Sequence, residues 1–139
     1  MSALSPITEL AEWKTRFFDF NDSVVRLVLM DWPSDKGRFE VQLETQDAGN
    51  TNTGWSLVRL VLNDVGSMSF CDSPKSYYRI LSEGLHIVVE RDRTGLEFGF
   101  FVNAPDSIEA LRASPCHVIG SLLLWEVISD YGLVGHVPY

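Results

Sequence analysis

The segment HVIGSLLLWEVIS, residues 117–129, constrains the fold more than any other part of the chain. Successive side chains of a strand point to opposite faces, and within residues 118–127 both faces are apolar except at Ser121 and Glu126. A strand of this kind is covered on both sides, which predicts a central position in a sheet. The apolar run is also too short to cross a membrane, because a spanning helix needs about 20 such residues.

Most of the remaining chain has the pattern of strands joined by polar turns. Residues 23–32 and 55–64 are rich in the apolar and β-branched side chains that strands favour. Residues 85–103 are predicted to form a hairpin around the loop 91–95. Residues 38–47 alternate strictly, which predicts a strand with one solvated face. Its two predicted faces are an apolar one, Phe39, Val41 and Leu43, and a polar one, Arg38, Glu40, Gln42 and Glu44.

Two segments are predicted to be helical. Residues 5–20 place Leu10, Trp13 and Phe17 near helical spacing, with Ser5 as N-cap and Pro6 in the first turn. Residues 104–114 predict a short helix that Pro115 ends.

These elements follow one another without βαβ alternation, and this order decides the expected fold class. We predict an α+β fold with a mostly antiparallel, strongly curled β-sheet of about seven strands. An N-terminal helix and a short helix before the last strand complete it. The length of 139 residues predicts a single domain, residues 1–139.

The charge balance restricts the class of partner. Eleven basic and nineteen acidic residues give a net charge of −8. This sign repels nucleic acids and anionic membranes, so we predict neither as a partner, whereas a basic protein would fit. The first residues lack a basic stretch followed by an apolar core, which predicts no signal peptide and a cytoplasmic location. Cys71 and Cys116 leave one disulfide open, but a reducing compartment favours free thiols.

The sequence contains no motif for a catalytic or metal site. His86, His117 and His136 lack metal-ligand spacing, and neither cysteine belongs to a CxxC motif. The loop at residues 49–54 has glycines at both ends but lacks the lysine and following helix of a phosphate-binding loop. We therefore predict a protein that is not an enzyme and that uses no metal and no cofactor.

Acidic side chains expected on the surface are the candidate partner-binding residues. They are Glu40 and Glu44 on the predicted solvated face, Asp47 at the start of the loop at residues 47–54, and Asp92 and Glu97 beside the hairpin loop.

Glu126 needs a separate explanation, because it ends an apolar face. An unpaired buried carboxylate is costly, so we expect Glu126 either to reach solvent or to form an ion pair. The arginines considered as partners are Arg26, Arg59 and Arg79.

The second half of the chain also carries a series of short motifs. They are a GLHI strand at residues 84–87, a strand ending in a Phe-Gly-Phe step at 98–100, a PDS-x-E-x-x-R-x-S turn at 105–114 and a Trp-Glu pair at 125–126. In these features residues 81–127 resemble small bacterial proteins that are predicted to be immunity proteins of polymorphic toxin systems. The resemblance implies an intracellular non-enzyme that binds and neutralises a cognate toxin, with Trp125 and Glu126 as structural residues. A basic nuclease toxin would match the net charge.

Two other functions remain open at this point. One is a structural or assembly protein that acts as a homo-oligomer, for instance a homodimer paired through an exposed strand edge. The other is a small-molecule-binding or hydrolytic domain. Its pocket would be lined by Trp32, Trp55 and Tyr77, with Glu126 or His86 as the acid–base group.

Overall fold

The computed structural model describes residues 4–70 and 80–128, which form two antiparallel β-sheets and two short helices. The chain begins with β1 (Ser5–Pro6), α1 (Leu10–Arg16) and a left-handed turn at Phe18–Phe20. The other elements are β2 (Ser23–Asp31), β3 (Gly37–Gln46), β4 (Trp55–Val65), β5 (Ser67–Ser69), β6 (Ile80–Leu81), β7 (His86–Glu90), β8 (Arg93–Glu97), α2 (Ile108–Leu111), β9 (His117–Gly120) and β10 (Leu123–Val127).

The strands are divided between a larger and a smaller sheet. The larger sheet has the order β1-β10-β4-β3-β2-β6, and the smaller one has the order β5-β9-β8-β7. The predicted α+β class and the mostly antiparallel pairing are confirmed. The prediction of one strongly curled sheet is wrong, because the described strands form two sheets and neither is strongly curled.

The reason for two sheets lies where the chain crosses between them. It leaves the larger sheet after β4, returns briefly as β6, and returns again at Ser121 and Leu122, between β9 and β10. At this crossing the backbone N–H of Ser121 donates to the Asn63 carbonyl at 2.8 Å, and that of Asn63 donates to the Leu122 carbonyl at 3.0 Å. A Cβ atom on Gly120 would lie 2.5 Å from the Asn63 carbonyl oxygen, so this close approach requires glycine. Residues 117–129 are therefore not the single long strand that their apolar pattern predicts.

The main apolar core is formed by the facing sides of both sheets together with α1. The alternation along β3 is confirmed on this side, since Phe39, Val41 and Leu43 are fully buried. Fully burying one such side chain stabilises the fold by roughly 1.5–3 kcal/mol. The same core includes Trp13, Phe17, Phe20, Leu60, Leu62, Leu96, Phe98 and Val118. A second, smaller cluster joins α2 to β9 through Ile108, Leu111 and Ile119.

The two helices differ in detail from their predicted extents. The N-terminal helix is confirmed but begins at Leu10, so the prediction of Ser5 as its N-cap is wrong. Ser5 and Pro6 instead pair with β10 as the edge strand β1. The second helix has only four residues and is capped by Ser107, whose Oγ accepts the Ala110 N–H at 3.0 Å. It precedes β9 rather than the last strand. In the described ranges no helix is long and apolar enough to cross a membrane.

Candidate partner-binding surface

The predicted solvated face of β3 is covered by arginines. Glu40 is 7% exposed and Glu44 is 3% exposed, so the prediction of a solvated acidic face is wrong. The Arg26 guanidinium donates to Glu44 Oε1 through Nε at 2.9 Å and also through Nη2. The Arg59 guanidinium donates to Glu40 at 2.9 Å. The alternation in sequence correctly predicts the polar face of β3, but arginines from the neighbouring strands β2 and β4 neutralise the negative charge on that face.

Arg59 links two carboxylates across three strands. Its Nη2 lies 2.9 Å from Glu40 Oε1 on β3, and its Nη1 lies 2.9 Å from Glu126 Oε2 on β10. The hydrogen bond from Arg59 lowers the pKa of Glu40 below its ordinary value, against the opposing effect of burial. The same bond to Glu40 raises the pKa of Arg59. The expectation that Glu126 pairs with an arginine is confirmed for Arg59, whereas Arg79 lies outside the described residues.

Asp47 joins α1 to the start of the loop between β3 and β4. Its carboxylate accepts hydrogen bonds from Arg16 Nε at 2.8 Å, from Ser56 Oγ at 2.6 Å and from the Gly49 backbone N–H at 2.8 Å. Burial by itself would raise the pKa of Asp47, but the hydrogen bonds from Arg16, Ser56 and Gly49 together lower it. Asp47 is 2% exposed, so it too is not part of a solvated face.

Glu97 is buried at the end of β8 and is not exposed beside the hairpin loop as predicted. Its side chain is fully buried and accepts hydrogen bonds from Ser114 Oγ and from the Phe100 N–H, both at 2.8 Å. His86 Nδ1 lies 2.7 Å from the other carboxylate oxygen. In this conformation Glu97 cannot touch a partner directly, and it holds the hairpin against the following loop.

Asp92 is the one predicted partner-binding acid that is exposed. It occupies the two-residue turn between β7 and β8, beside a surface cavity of about 320 Å³. Arg93, Arg112 and Asp64 line the same cavity, so charges of both signs surround Asp92. A cavity of mixed charge does not select a strongly basic partner.

Trp125 makes the contacts of a packing residue. Its ring lies edge-on to Trp13 at 5.7 Å and to Phe17 at 5.9 Å between ring centroids. The Arg16 guanidinium, held by Asp47, lies 4.7 Å from the Phe17 centroid and 5.6 Å from that of Trp125. These contacts fix α1 on the larger sheet.

Part of the exposed negative charge lies on the residues around α1. Glu9 and Glu12 are exposed at the start of the helix, on the rim of a surface groove of about 590 Å³. Trp13 and Trp125 also line this groove, and the Trp13 indole N–H is buried without a hydrogen-bond partner among the described residues. The groove therefore combines aromatic rings with two exposed acidic side chains and with Arg16, whose charge is paired with Asp47.

A strained turn continues this acidic region beyond α1. Phe18, Asp19, Phe20 and Asp22 have φ values of +54°, +54°, +59° and +60°, a region that side chains other than glycine rarely adopt. Each such residue costs of order 1–3 kcal/mol unless the surrounding structure holds it. The carbonyl of Asp19 accepts the Leu85 N–H at 3.1 Å, and the Phe20 ring is fully buried.

The turn presents an aromatic ring among acidic side chains. Phe18 is 48% exposed, which is unusual for a phenylalanine beside a core. Asp19 and Asp22 are exposed in the same turn, and Glu83 is exposed in the loop that packs on it. The sequence pattern did not single out these residues, although Glu9, Glu12 and Asp19 all lie off the apolar stripe of the helical segment.

Other sequence predictions concern residues with no shared site in the structure. Trp32 is on the surface and Trp55 begins β4, while Tyr77, Cys71 and His136 lie outside the described ranges. Cys116 is buried. Within residues 4–70 and 80–128, no three metal-ligating side chains form a group. No protein-family model, curated protein or solved structure matches this chain.

Proposed function

We propose that this chain is a non-enzymatic binding protein of the immunity type, which acts in the cytoplasm and neutralises a basic protein toxin by direct contact. The observation that supports the proposal most is the difference between buried acidic side chains, which have basic partners, and exposed ones. The buried carboxylates Glu40, Glu44 and Asp47 are each paired with an arginine, so much of the excess negative charge of the described residues lies on exposed acids. Five of these exposed acids border α1 and the left-handed turn, namely Glu9, Glu12, Asp19, Asp22 and Glu83.

This distribution suits recognition of a basic partner in two ways. Exposed charge of one sign increases the rate at which an oppositely charged protein associates. Phe18 supplies a large apolar contact at the same place, and aromatic side chains enclosed by polar residues often dominate binding energies. The strained turn supports the proposal as well, because backbone strain concentrates at functional positions.

The buried acids have a different part in this proposal. Glu40, Glu44 and Asp47 maintain the sheet and the position of α1, and Glu97 maintains the hairpin, instead of touching the toxin themselves. Asp92 remains available at the hairpin tip for a secondary contact.

The test uses a basic toxin domain encoded beside this gene, with binding kinetics measured at low and high salt. We expect Glu12→Lys with Glu83→Lys to slow association by about tenfold or more at low salt, because the steering field is reversed locally. The matched control is Asp106→Lys with Glu109→Lys, which changes the net charge equally at exposed positions near α2. Equal effects of the two double variants would contradict the proposed surface.

A second variant separates the aromatic contact from the charge. Phe18→Asn removes the ring, and asparagine tolerates the positive φ better than most residues do. We expect dissociation to be about tenfold or more faster, with little change in association. Co-expression with the toxin gives the biological readout. If the unsubstituted chain neither bound the toxin nor restored growth, the immunity function would be wrong for this pair.

A further inference from the structure

The part of β2 beyond its short pairing with β6 supports an inference that does not depend on the proposed function. Leu27, Val28 and Leu29 in β2 are 39%, 41% and 45% exposed, although they belong to a run of apolar residues. Leu27 and Leu29 lie on the outer face of the sheet, opposite Gln42 and Glu40, while Val28 lies on the core side, opposite Val41. Both faces of this stretch are therefore apolar and accessible.

The backbone of the same stretch has a strand neighbour on one side only, as far as the described residues show. β3 pairs with it through Asp31, whereas β6 pairs only with Ser23 and Val24 at the other end of β2. A strand edge presents backbone N–H and C=O groups in a row and readily pairs with another strand. An apolar edge of this kind is a surface for strand addition.

We propose that this edge is the seam of a homodimer, in which β2 pairs antiparallel with β2 of a second copy and joins the two larger sheets. The local charges favour a second copy over a basic partner. The apolar stretch is flanked by Arg26 and Asp31, which pair with Glu44 and Arg38 on β3. The edge is thus nearly neutral, and the exposed acids around α1 belong to another part of the chain.

Symmetry limits how two copies of β2 can pair. A two-fold axis perpendicular to the sheet places each residue opposite one that points to the same face, so the paired residue numbers have the same parity. The β-bulge at Arg26 lies outside the apolar stretch and does not disturb this rule.

Among the allowed registers, one matches apolar side chains throughout. The register centred on Val28 places Val28 opposite Val28 of the second copy. It also places Leu27 of each copy opposite Leu29 of the other. A register centred on Leu29 would place Leu27 opposite the Asp31 carboxylate. A register centred on Leu27 would place Val28 opposite Arg26 in the bulge. We therefore assign the register centred on Val28.

Sedimentation measurements over a wide concentration range test the dimer. Val28→Lys would place two like charges opposite each other, so we expect the dimer dissociation constant to rise by about tenfold or more. Val89→Lys is the matched control, because Val89 is also an exposed valine on an edge strand, β7 of the smaller sheet, and we expect it to leave dimerisation unchanged. An unsubstituted chain that stays monomeric throughout would overturn the proposal, and so would loss of the dimer in Val89→Lys alone.

Cross-linking tests the register with substitutions that hardly change side-chain volume. Opposed residues in antiparallel strands have Cα atoms about 4.5–5.5 Å apart, which is within disulfide range. Under mild oxidation we expect Val28→Cys to form covalent dimers well above the level of the unsubstituted chain, and Leu29→Cys to remain near that level. The reverse result would overturn the assigned register, and cross-linking of neither variant would overturn the β2 seam.

Discussion

Replacing Arg59 by methionine should produce a large and pH-dependent loss of stability. The side chain keeps its length and its apolar stem, but Glu40 and Glu126 both lose the guanidinium that binds them. Removing one partner of a fully buried ion pair costs about 3–5 kcal/mol, whereas exposed pairs contribute about 0.2–1 kcal/mol. The side chains of Arg59 and Glu40 are 25% and 9% exposed, nearer the buried case. We therefore expect a loss of about 2–4 kcal/mol in the free energy of unfolding at neutral pH.

The sign of the pH dependence follows from the pKa of Glu40. In the unsubstituted chain this pKa is lowered, so the ion pair stabilises the fold above the unfolded value of about 4.3 and the effect is lost as the pH falls through the folded value. Without Arg59, the largest effect that lowers the pKa of Glu40 is absent, and burial then disfavours the charged carboxylate more strongly at neutral pH. The stability difference between the two proteins should therefore shrink as the pH falls towards about 4.

Urea unfolding followed by tryptophan fluorescence at several pH values measures this difference. Arg112→Met is the control, because Arg112 lies 3.8 Å from Glu109, whose side chain is 88% exposed, and we expect a change below about 0.5 kcal/mol. Adding Glu40→Gln to Arg59→Met should recover part of the loss, since the uncompensated charge is then absent. A loss below roughly 0.5 kcal/mol, or one independent of pH, would refute the reasoning.

Three further substitutions test other parts of the fold. Glu97→Gln replaces a buried carboxylate that accepts hydrogen bonds from Ser114 and Phe100 by a neutral amide, which accepts them more weakly. We expect a loss of about 1–3 kcal/mol in urea unfolding, and an unchanged midpoint would show that the negative charge is dispensable there. Asp47→Asn removes a carboxyl group whose pKa is lowered in the folded protein. We therefore expect the Tm of this variant to fall less steeply than that of the unsubstituted chain when the pH drops below the unfolded pKa of about 3.9. Equal slopes of Tm against pH in the two proteins would contradict this. Gly84 and Gly54 both have positive φ, but a Cβ would lie 2.4 Å from the Asp19 carbonyl oxygen at Gly84 and would meet nothing within 4 Å at Gly54. Gly84→Ala should therefore cost about 1–3 kcal/mol more than Gly54→Ala by calorimetry, and equal costs would exclude the steric contribution.

Local patterns were sufficient to predict much of the fold. The alternation of residues 38–47 identifies a strand and its core side, and the spacing of Trp13 and Phe17 identifies a helix that packs one face. Both patterns depend on neighbours within a few residues, so they can be read from the sequence. The absence of βαβ alternation likewise predicts antiparallel strands, which the structure has.

The exposure of charged residues depended on contacts between distant parts of the chain. Nothing near Glu40 in sequence indicates that it is buried, because its partner Arg59 is 19 residues away and Glu126 is 67 residues from the same guanidinium. The side-chain period predicts which face a residue occupies, but only the strand register decides whether an arginine covers that face. The predicted solvated acids were misplaced for this reason.

The division into two sheets was also decided by tertiary structure. Residues 117–127 have the apolar pattern of one buried strand, and both of its halves are indeed strands. The break between them arises because Gly120 passes against the Asn63 backbone, a contact made by a strand far away in sequence. The sequence by itself therefore determined strand propensity, the apolar core and net charge, which are sums over local residues. The tertiary structure alone decided which charges are neutralised and how the strands are divided between two sheets, because both depend on pairing between distant strands.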